Sequence, residues 1–165
     1  MKALDVGCGA ESERWFPGAD LCDSNLNVSK YPYKDLEGRT LYLQDIDVLH
    51  PNILAEDQVY DFIWSGHAWG WMKDITKSVV EKELFRLLKL GGRAIIRDMV
   101  YVEEDSDDWE TFDIDLFLKL QLNFFPEDRW SSYAYFNTEI HPQSDVGSLR
   151  SMGFPYLIHL EKLEG

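Results

Sequence analysis

The 165-residue chain has no long apolar run and only two cysteines. Because no stretch of eighteen apolar residues occurs, a membrane-spanning helix is excluded and no membrane partner is expected. Cys8 and Cys22 give neither a disulfide framework nor metal-ligand spacing, so we predict reduced thiols and no metal site. No basic and apolar leader precedes the first predicted strand, which favours a cytoplasmic location.

Basic residues are also scarce, and the chain carries a formal net charge of −14 from 30 acidic and 16 basic residues. Such a field repels polyanions, so we expect no nucleic-acid binding by the chain alone and a small, non-polyanionic substrate. Within Glu103–Asp115, eight of thirteen residues are acidic. This segment is interpreted as a solvated loop leading into a helix, with a cation-attracting rim beside a substrate site as the alternative.

Short apolar segments alternate with helical patterns along the chain. The predicted strands are Lys2–Val6, Ala19–Asp23, Thr40–Gln44, Tyr60–Trp64, Arg93–Val100 and Tyr156–Leu160. Strands that alternate with helices predict a parallel sheet covered by helices on both faces. We therefore expect an α/β protein with one doubly wound domain over residues 1–165.

The clearest helix pattern lies between the fourth and fifth predicted strands. Its apolar residues recur at helical spacing and form one stripe: Val80, Leu84, Leu87 and Leu88. Gly91-Gly92 is predicted to end this helix in a left-handed conformation. Further helices are predicted over residues 109–122 and 142–152.

The first strand runs into a glycine turn at Gly7-Cys8-Gly9, just after the acidic Asp5. Glycine permits positive φ and a close approach of the backbone to a ligand. At the carboxyl end of a central parallel strand, such a turn suits a nucleotide-like ligand. The dinucleotide fingerprint requires a third glycine where this chain has Ser12, so an NAD-dependent oxidoreductase is the less favoured alternative.

Acidic residues end the next two predicted strands. Asp23 is placed to accept hydrogen bonds from both hydroxyls of a ribose, with an Asx turn as the alternative. Asp45 and Ile46 together offer a carboxylate and an apolar wall to an adenine ring, although a turn residue at Asp45 is the simpler interpretation.

With these residues in this order, the chain resembles the class I S-adenosylmethionine-dependent methyltransferases, most closely the small methyltransferase-11-like type in a minimal or truncated form. The resemblance rests on Leu4–Gly9, Tyr60–Ala68 and Leu84–Ile96, and more loosely on Met152–Phe154 as a late turn into the sixth strand. It implies a Rossmann-like fold, S-adenosyl-L-methionine as cofactor, and methyl transfer to oxygen or nitrogen of a small acceptor. The cofactor contacts that it implies are Asp5, Gly7, Cys8, Gly9, Asp23, Asp45, Ile46 and Ser65.

The chain departs from this family in several places. Gly70-Trp71 stands where many relatives have Glu-His, and Leu90 replaces a common proline. The first strand begins at once, without the helices that often cover the cofactor, and little room is expected for the usual antiparallel seventh strand. These departures favour, as an alternative, a non-catalytic or partner-dependent cofactor-binding module. A homodimer or a covering partner chain is consistent with either function.

His67, three residues after the fourth predicted strand, is the histidine best placed to act as a general base. An imidazole can take a proton from a substrate hydroxyl or amine near neutral pH. Packing, or contact with the cofactor, is the alternative role. The nearby Trp64, Trp69 and Trp71 are interpreted as packing residues, with stacking on an aromatic or cationic substrate as the alternative.

Overall fold

The computed structural model describes residues 1–7, 19–23, 40–44, 52–53, 57–103, 113–136 and 151–163. The strands in these ranges are β1 (Ala3–Val6), β2 (Asp20–Asp23), β3 (Thr40–Gln44), β4 (Asn52–Ile53), β5 (Tyr60–Gly66), β6 (Leu88–Glu103), β7 (Trp130–Phe136) and β8 (Ser151–Lys162). The helices are α1 (Asp74–Leu87) and α2 (Ile114–Leu122), and a short 3-10 helix spans Trp69–Trp71. No helix in the described part of the chain is long and apolar enough to span a membrane.

The eight strands form one sheet in the order β4-β3-β2-β1-β5-β6-β8-β7. The central pairs β2–β3, β1–β2, β1–β5 and β5–β6 are all parallel, whereas β4 and β8 run antiparallel to their neighbours. The predicted α/β class with a mostly parallel, Rossmann-like sheet is therefore confirmed. The segments that join β1 to β2 and β2 to β3 lie outside the described residues.

The core lies between α1 and the central strands. β1 is buried at all four positions, as a strand covered on both faces should be. Most of the predicted apolar stripe is confirmed, because Val80, Leu84 and Leu87 of α1 are buried in the core, whereas Leu88 is buried as the first residue of β6. Each such side chain contributes about 1.5–3 kcal/mol relative to an exposed position.

The end of α1 differs from the prediction. The helix stops at Leu87, and Leu88 already has extended backbone and pairs with Tyr60 of β5. The pairing resumes at Arg93, opposite Phe62, so the register shifts at an irregularity near the start of β6. Gly91 does adopt a positive φ of 70°, but within β6 rather than as the helix stop. Burial of Leu88 in the sheet decides the helix boundary.

The carboxyl-terminal half of the sheet was only partly predicted. β7 was not predicted at all, whereas the sixth predicted strand, Tyr156–Leu160, forms within the longer β8 and runs antiparallel to both of its neighbours. β8 pairs with β6 from Glu161 opposite Arg93 to Ser151 opposite Glu103. Met152–Phe154 therefore lies in a strand rather than in a turn. Long-range pairing with β6, which no local pattern encodes, produces this difference.

The two other predicted helices have different outcomes. The helix expected over 109–122 forms over Ile114–Leu122, and the Asp113 carboxylate caps it by accepting a hydrogen bond from the Leu116 N–H at 3.0 Å. The helix expected over 142–152 is wrong at its end, where β8 begins, and the rest of it lies outside the described residues. Most of the acidic segment, residues 104–112, also lies outside them.

Candidate functional site

The candidate site lies at the carboxyl edge of the sheet, where β1 and β5 end side by side. These strands are parallel, with Asp5 of β1 opposite Trp64 of β5. Gly7, directly after β1, has a φ of 70°, which L side chains rarely adopt. A Cβ at this position would also overlap the side chain of Ala68. The glycine turn predicted from the sequence is therefore required both by backbone conformation and by space.

The structure places the other predicted cofactor residues as follows. Asp5 is buried in β1, and Ser65 is buried in β5 opposite Ile96 of β6. Asp23 ends β2 as expected, next to the carboxyl end of β1. Cys8, Gly9, Asp45 and Ile46 lie outside the described residues. The described members thus converge on one edge of the sheet, and their contact with a cofactor stays a prediction.

His67 leaves β5 at this edge in a left-handed conformation, with a φ of 60°. Non-glycine residues in this region are uncommon and are concentrated at functional sites. The backbone N–H of His67 donates a hydrogen bond to the carbonyl of Arg97 on β6, at 2.8 Å. The imidazole is 42% exposed, so solvent or a substrate can reach it.

Asp98, at the end of the parallel pairing of β6, is the residue that sequence reasoning missed. It is only 4% exposed. Its Oδ2 accepts the Gly70 N–H at 2.5 Å, and its Oδ1 accepts the Met99 N–H at 2.7 Å. Oδ1 also lies 3.8 Å from Nδ1 of His67. A signal was available, because Asp98 stands near the carboxyl end of the predicted strand Arg93–Val100.

The close approach of Asp98 explains the residue at position 70. A Cβ on Gly70 would lie 2.9 Å from Oδ2 of Asp98. Glycine is therefore the residue that lets the backbone of the 3-10 helix close over the carboxylate. The sequence alone showed Gly70 only as a departure from the family pattern.

The negative charge of Asp98 affects the pKa values of two further side chains, Lys77 and Tyr156. Burial lowers the pKa of Lys77, while the negative charges of Asp74 and Asp98 act in the opposite direction. Burial also raises the pKa of the Tyr156 hydroxyl, and the charge of Asp98 adds to this effect. The charge of Asp98 therefore acts on an α1 lysine and on a β8 tyrosine.

Trp69 packs in the core rather than lining the site. It is almost fully buried, its Nε1 donates a hydrogen bond to Oε1 of Gln121 at 3.0 Å, and its ring stacks on Phe125 with centroids 5.3 Å apart. The amino group of Lys77 lies 5.3 Å from the centroid of the Trp69 ring. These contacts favour the packing interpretation for this tryptophan. They also connect α1 and α2 beneath the candidate site.

Among the described residues, no group of three or more histidine, cysteine or acidic side chains is arranged to hold a metal ion.

No protein-family model matches the chain, and a search of curated proteins found no match. Solved structures do match. A candidate sarcosine dimethylglycine methyltransferase from Galdieria sulphuraria aligns at a TM-score of 0.63 and 19% identity, over 98% of this chain and 78% of that chain. A candidate methyltransferase from Bacillus halodurans aligns at a TM-score of 0.62 and 13% identity, over 99% of this chain and 93% of that chain.

A phosphoethanolamine N-methyltransferase from Haemonchus contortus aligns at a TM-score of 0.61 and 14% identity, over 99% of this chain and 50% of that chain. At identities this low, the structural similarity shows the fold alone. The chain therefore shares the Rossmann-like fold of these methyltransferase structures.

Proposed function

We propose that the protein binds S-adenosyl-L-methionine and transfers its methyl group to oxygen or nitrogen of a small, non-polyanionic acceptor. The observation that carries this proposal is the contact between the ends of β1 and β5. Gly7, in a left-handed turn, packs against Ala68, which directly follows the exposed His67. A turn that a ligand can approach and a candidate base thus come from adjacent parallel strands of a methyltransferase fold.

The cofactor is inferred from the turn and from the structural relatives together. The Haemonchus enzyme is in complex with S-adenosylhomocysteine, and a geranyl diphosphate methyltransferase that aligns at a TM-score of 0.63 is in complex with S-adenosylmethionine. In this chain, the Gly7 turn would lie against the methionine and ribose parts, and Asp23 would accept the ribose hydroxyls. The positions at Asp45 and Ile46 would contact the adenine.

The protein's own residues would align the acceptor with the methyl group and remove the acceptor's proton. The cofactor supplies an electrophilic methyl group on a sulfonium, so the protein has mainly to align the acceptor with it. An acceptor hydroxyl or ammonium must also lose a proton, and His67 offers an exposed imidazole at this edge. The net charge of −14 favours an acceptor that is not a polyanion.

Calorimetric titration with S-adenosylmethionine, S-adenosylhomocysteine and NAD tests the proposal. We expect binding of the first two and no binding of NAD. Asp23→Ala should weaken cofactor binding by about 1.5–3 kcal/mol, the usual contribution of hydrogen bonds to a charged group. Asp20→Ala is the matched control, because Asp20 lies at the other end of β2 and accepts a hydrogen bond from the Tyr60 hydroxyl at 2.9 Å. Binding of NAD alone would replace the proposal with an oxidoreductase.

Turnover is the second arm of the same test. His67→Ala should lower methyl transfer by about 10²–10⁴-fold, the usual contribution of a general base, with cofactor affinity unchanged. A joint loss of stability and affinity with little change in rate would assign His67 to packing. Tight cofactor binding without transfer to any acceptor would favour the non-catalytic binding module.

A further inference from the structure

We propose that Asp98 is a positioning residue for His67. Its buried carboxylate would hold the imidazole with the proton on Nδ1, so that Nε2 is the unprotonated ring nitrogen that acts as the base. The functional consequence rests on the proposed methyl transfer, whereas the geometry can be tested without it.

The Asp98 carboxylate is held in one position by backbone hydrogen bonds, so it can orient a neighbouring side chain. It accepts backbone hydrogen bonds from two separate elements, the Gly70 N–H of the 3-10 helix and the Met99 N–H of β6. Burial leaves the carboxylate almost no solvent to turn toward. A carboxylate oxygen has two lone pairs, so Oδ1 can accept a second hydrogen bond besides the one from Met99.

His67 is brought to this oxygen by its backbone. The hydrogen bond from its N–H to the carbonyl of Arg97 fixes it beside the residue that precedes Asp98, and its left-handed φ turns the chain out of β5. Nδ1 then lies 3.8 Å from Oδ1. This separation is longer than a hydrogen bond, so the proposal requires the exposed ring to move closer to Oδ1. Catalytic hydrogen bonds are commonly long before a substrate binds.

The consequence for proton transfer follows from the two ring nitrogens. A neutral imidazole carries one proton, on Nδ1 or on Nε2, and the other nitrogen is the acceptor. Asp98 accepts hydrogen bonds only, so it favours the proton on Nδ1 and leaves Nε2 as the base. When the acceptor's proton moves to Nε2, the resulting imidazolium lies beside a carboxylate, which stabilises it.

The other charged and titratable groups around Asp98 agree with this role. The charges of Asp74 and Asp98 oppose the lowering of the Lys77 pKa by burial. Burial and the charge of Asp98 both raise the pKa of the Tyr156 hydroxyl and so keep it protonated. A lysine ammonium is a donor only, so Lys77 does not replace the carboxylate as the acceptor for His67.

The kinetic test is a double-mutant comparison. Asp98→Asn should lower kcat by about 10–100-fold, the range found for carboxylate partners of metal-bound histidines, with the KM for the cofactor unchanged. His67→Gln should lower it further, and the double variant should equal His67→Gln alone, because Asp98 acts through His67. Independent losses that multiply in the double variant would overturn the proposal. Asp61→Asn, at the other end of β5 with surface partners Lys2 and Lys89, is the control carboxylate.

The deciding test is the tautomer of His67, read from ¹⁵N chemical shifts of histidine-labelled protein at a pH of about 8.5, roughly two units above the ordinary imidazole pKa. His67→Gln assigns the signal. We expect the Nδ1–H form in the unaltered protein and in Asp61→Asn, and a shift toward Nε2–H in Asp98→Asn. If Asp98→Asn does not fold, the unaltered protein decides alone: an Nε2–H imidazole overturns the proposal. An Nδ1–H form that responds to Asp98→Asn, in a protein without methyl transfer, supports the positioning and rejects the proposed function.

Discussion

Single residues at the edge of the sheet are selected by backbone geometry as much as by chemistry. Gly7 and Gly91 both have a φ of 70°, but only Gly7 is also crowded, by Ala68. Gly70 has no positive φ and is required instead by the nearby carboxylate of Asp98. Gly91 is therefore required by its backbone conformation, Gly70 by lack of space, and Gly7 by both.

This difference predicts unequal costs for the same substitution. Gly91→Ala should lower the free energy of unfolding by about 1–2 kcal/mol, because an L residue must adopt the left-handed conformation in open space. Gly7→Ala should lose this amount and about 1–3 kcal/mol more, because the added methyl group overlaps Ala68. Urea unfolding of both variants measures the difference. Equal losses would mean that Ala68 moves aside freely and that Gly7 is required only for its φ.

Among the elements, α1 is stabilised at its end by a residue from the far side of the sequence. The Lys162 amino group donates hydrogen bonds to the carbonyls of Phe85 at 2.7 Å and Leu88 at 2.9 Å, and lies 4.3 Å from the centroid of the Phe85 ring. A positive charge at the carboxyl end of a helix also interacts favourably with its dipole. This contact joins the end of α1 to β8.

Lys162→Met should lower the free energy of unfolding by about 1.5–3 kcal/mol, because hydrogen bonds from a charged group to helix carbonyls are lost while the aliphatic stem is kept. Lys89→Met is the control. Lys89 pairs with Asp61 at 3.0 Å on the surface, so its loss should cost less than about 1 kcal/mol. Urea unfolding compares the two variants. A smaller loss for Lys162→Met than for Lys89→Met would show that the helix end is satisfied without the lysine.

At the scale of the whole molecule, the excess of acidic residues is the dominant property. A net charge of −14 gives a long-range field that acts on any charged partner before contact. The field is compatible with a small acceptor and opposes a phosphate backbone.

The isolated protein should therefore show no measurable affinity for duplex DNA or tRNA at an ionic strength of about 0.15 M. Fluorescence anisotropy with labelled nucleic acids at this and at lower salt measures it. Saturable binding at physiological salt would contradict the small-molecule acceptor and would indicate a local basic surface.

Local sequence patterns were sufficient to predict the buried first strand, the helix that packs on the sheet and the left-handed glycine. The apolar run of β1 before a glycine turn, and the stripe from Val80 to Leu88, indicated a buried strand and a helix packed on the sheet, and both are present. The positive φ of Gly7 was likewise anticipated, because glycine after a buried strand has few other roles. These features depend on side-chain periodicity and on the conformational freedom of one residue.

Tertiary structure decided what depends on residues distant in the sequence. Contacts between separate segments produce the antiparallel pairing of β8 with β6 and the extended backbone of Leu88. They also produce the hydrogen bond from Lys162 to the last turn of α1. The pairing of β5 with β6 likewise places Asp98 beside His67. A carboxylate near the end of a predicted strand is visible in the sequence, but its partner is set by strand register, which no local pattern encodes.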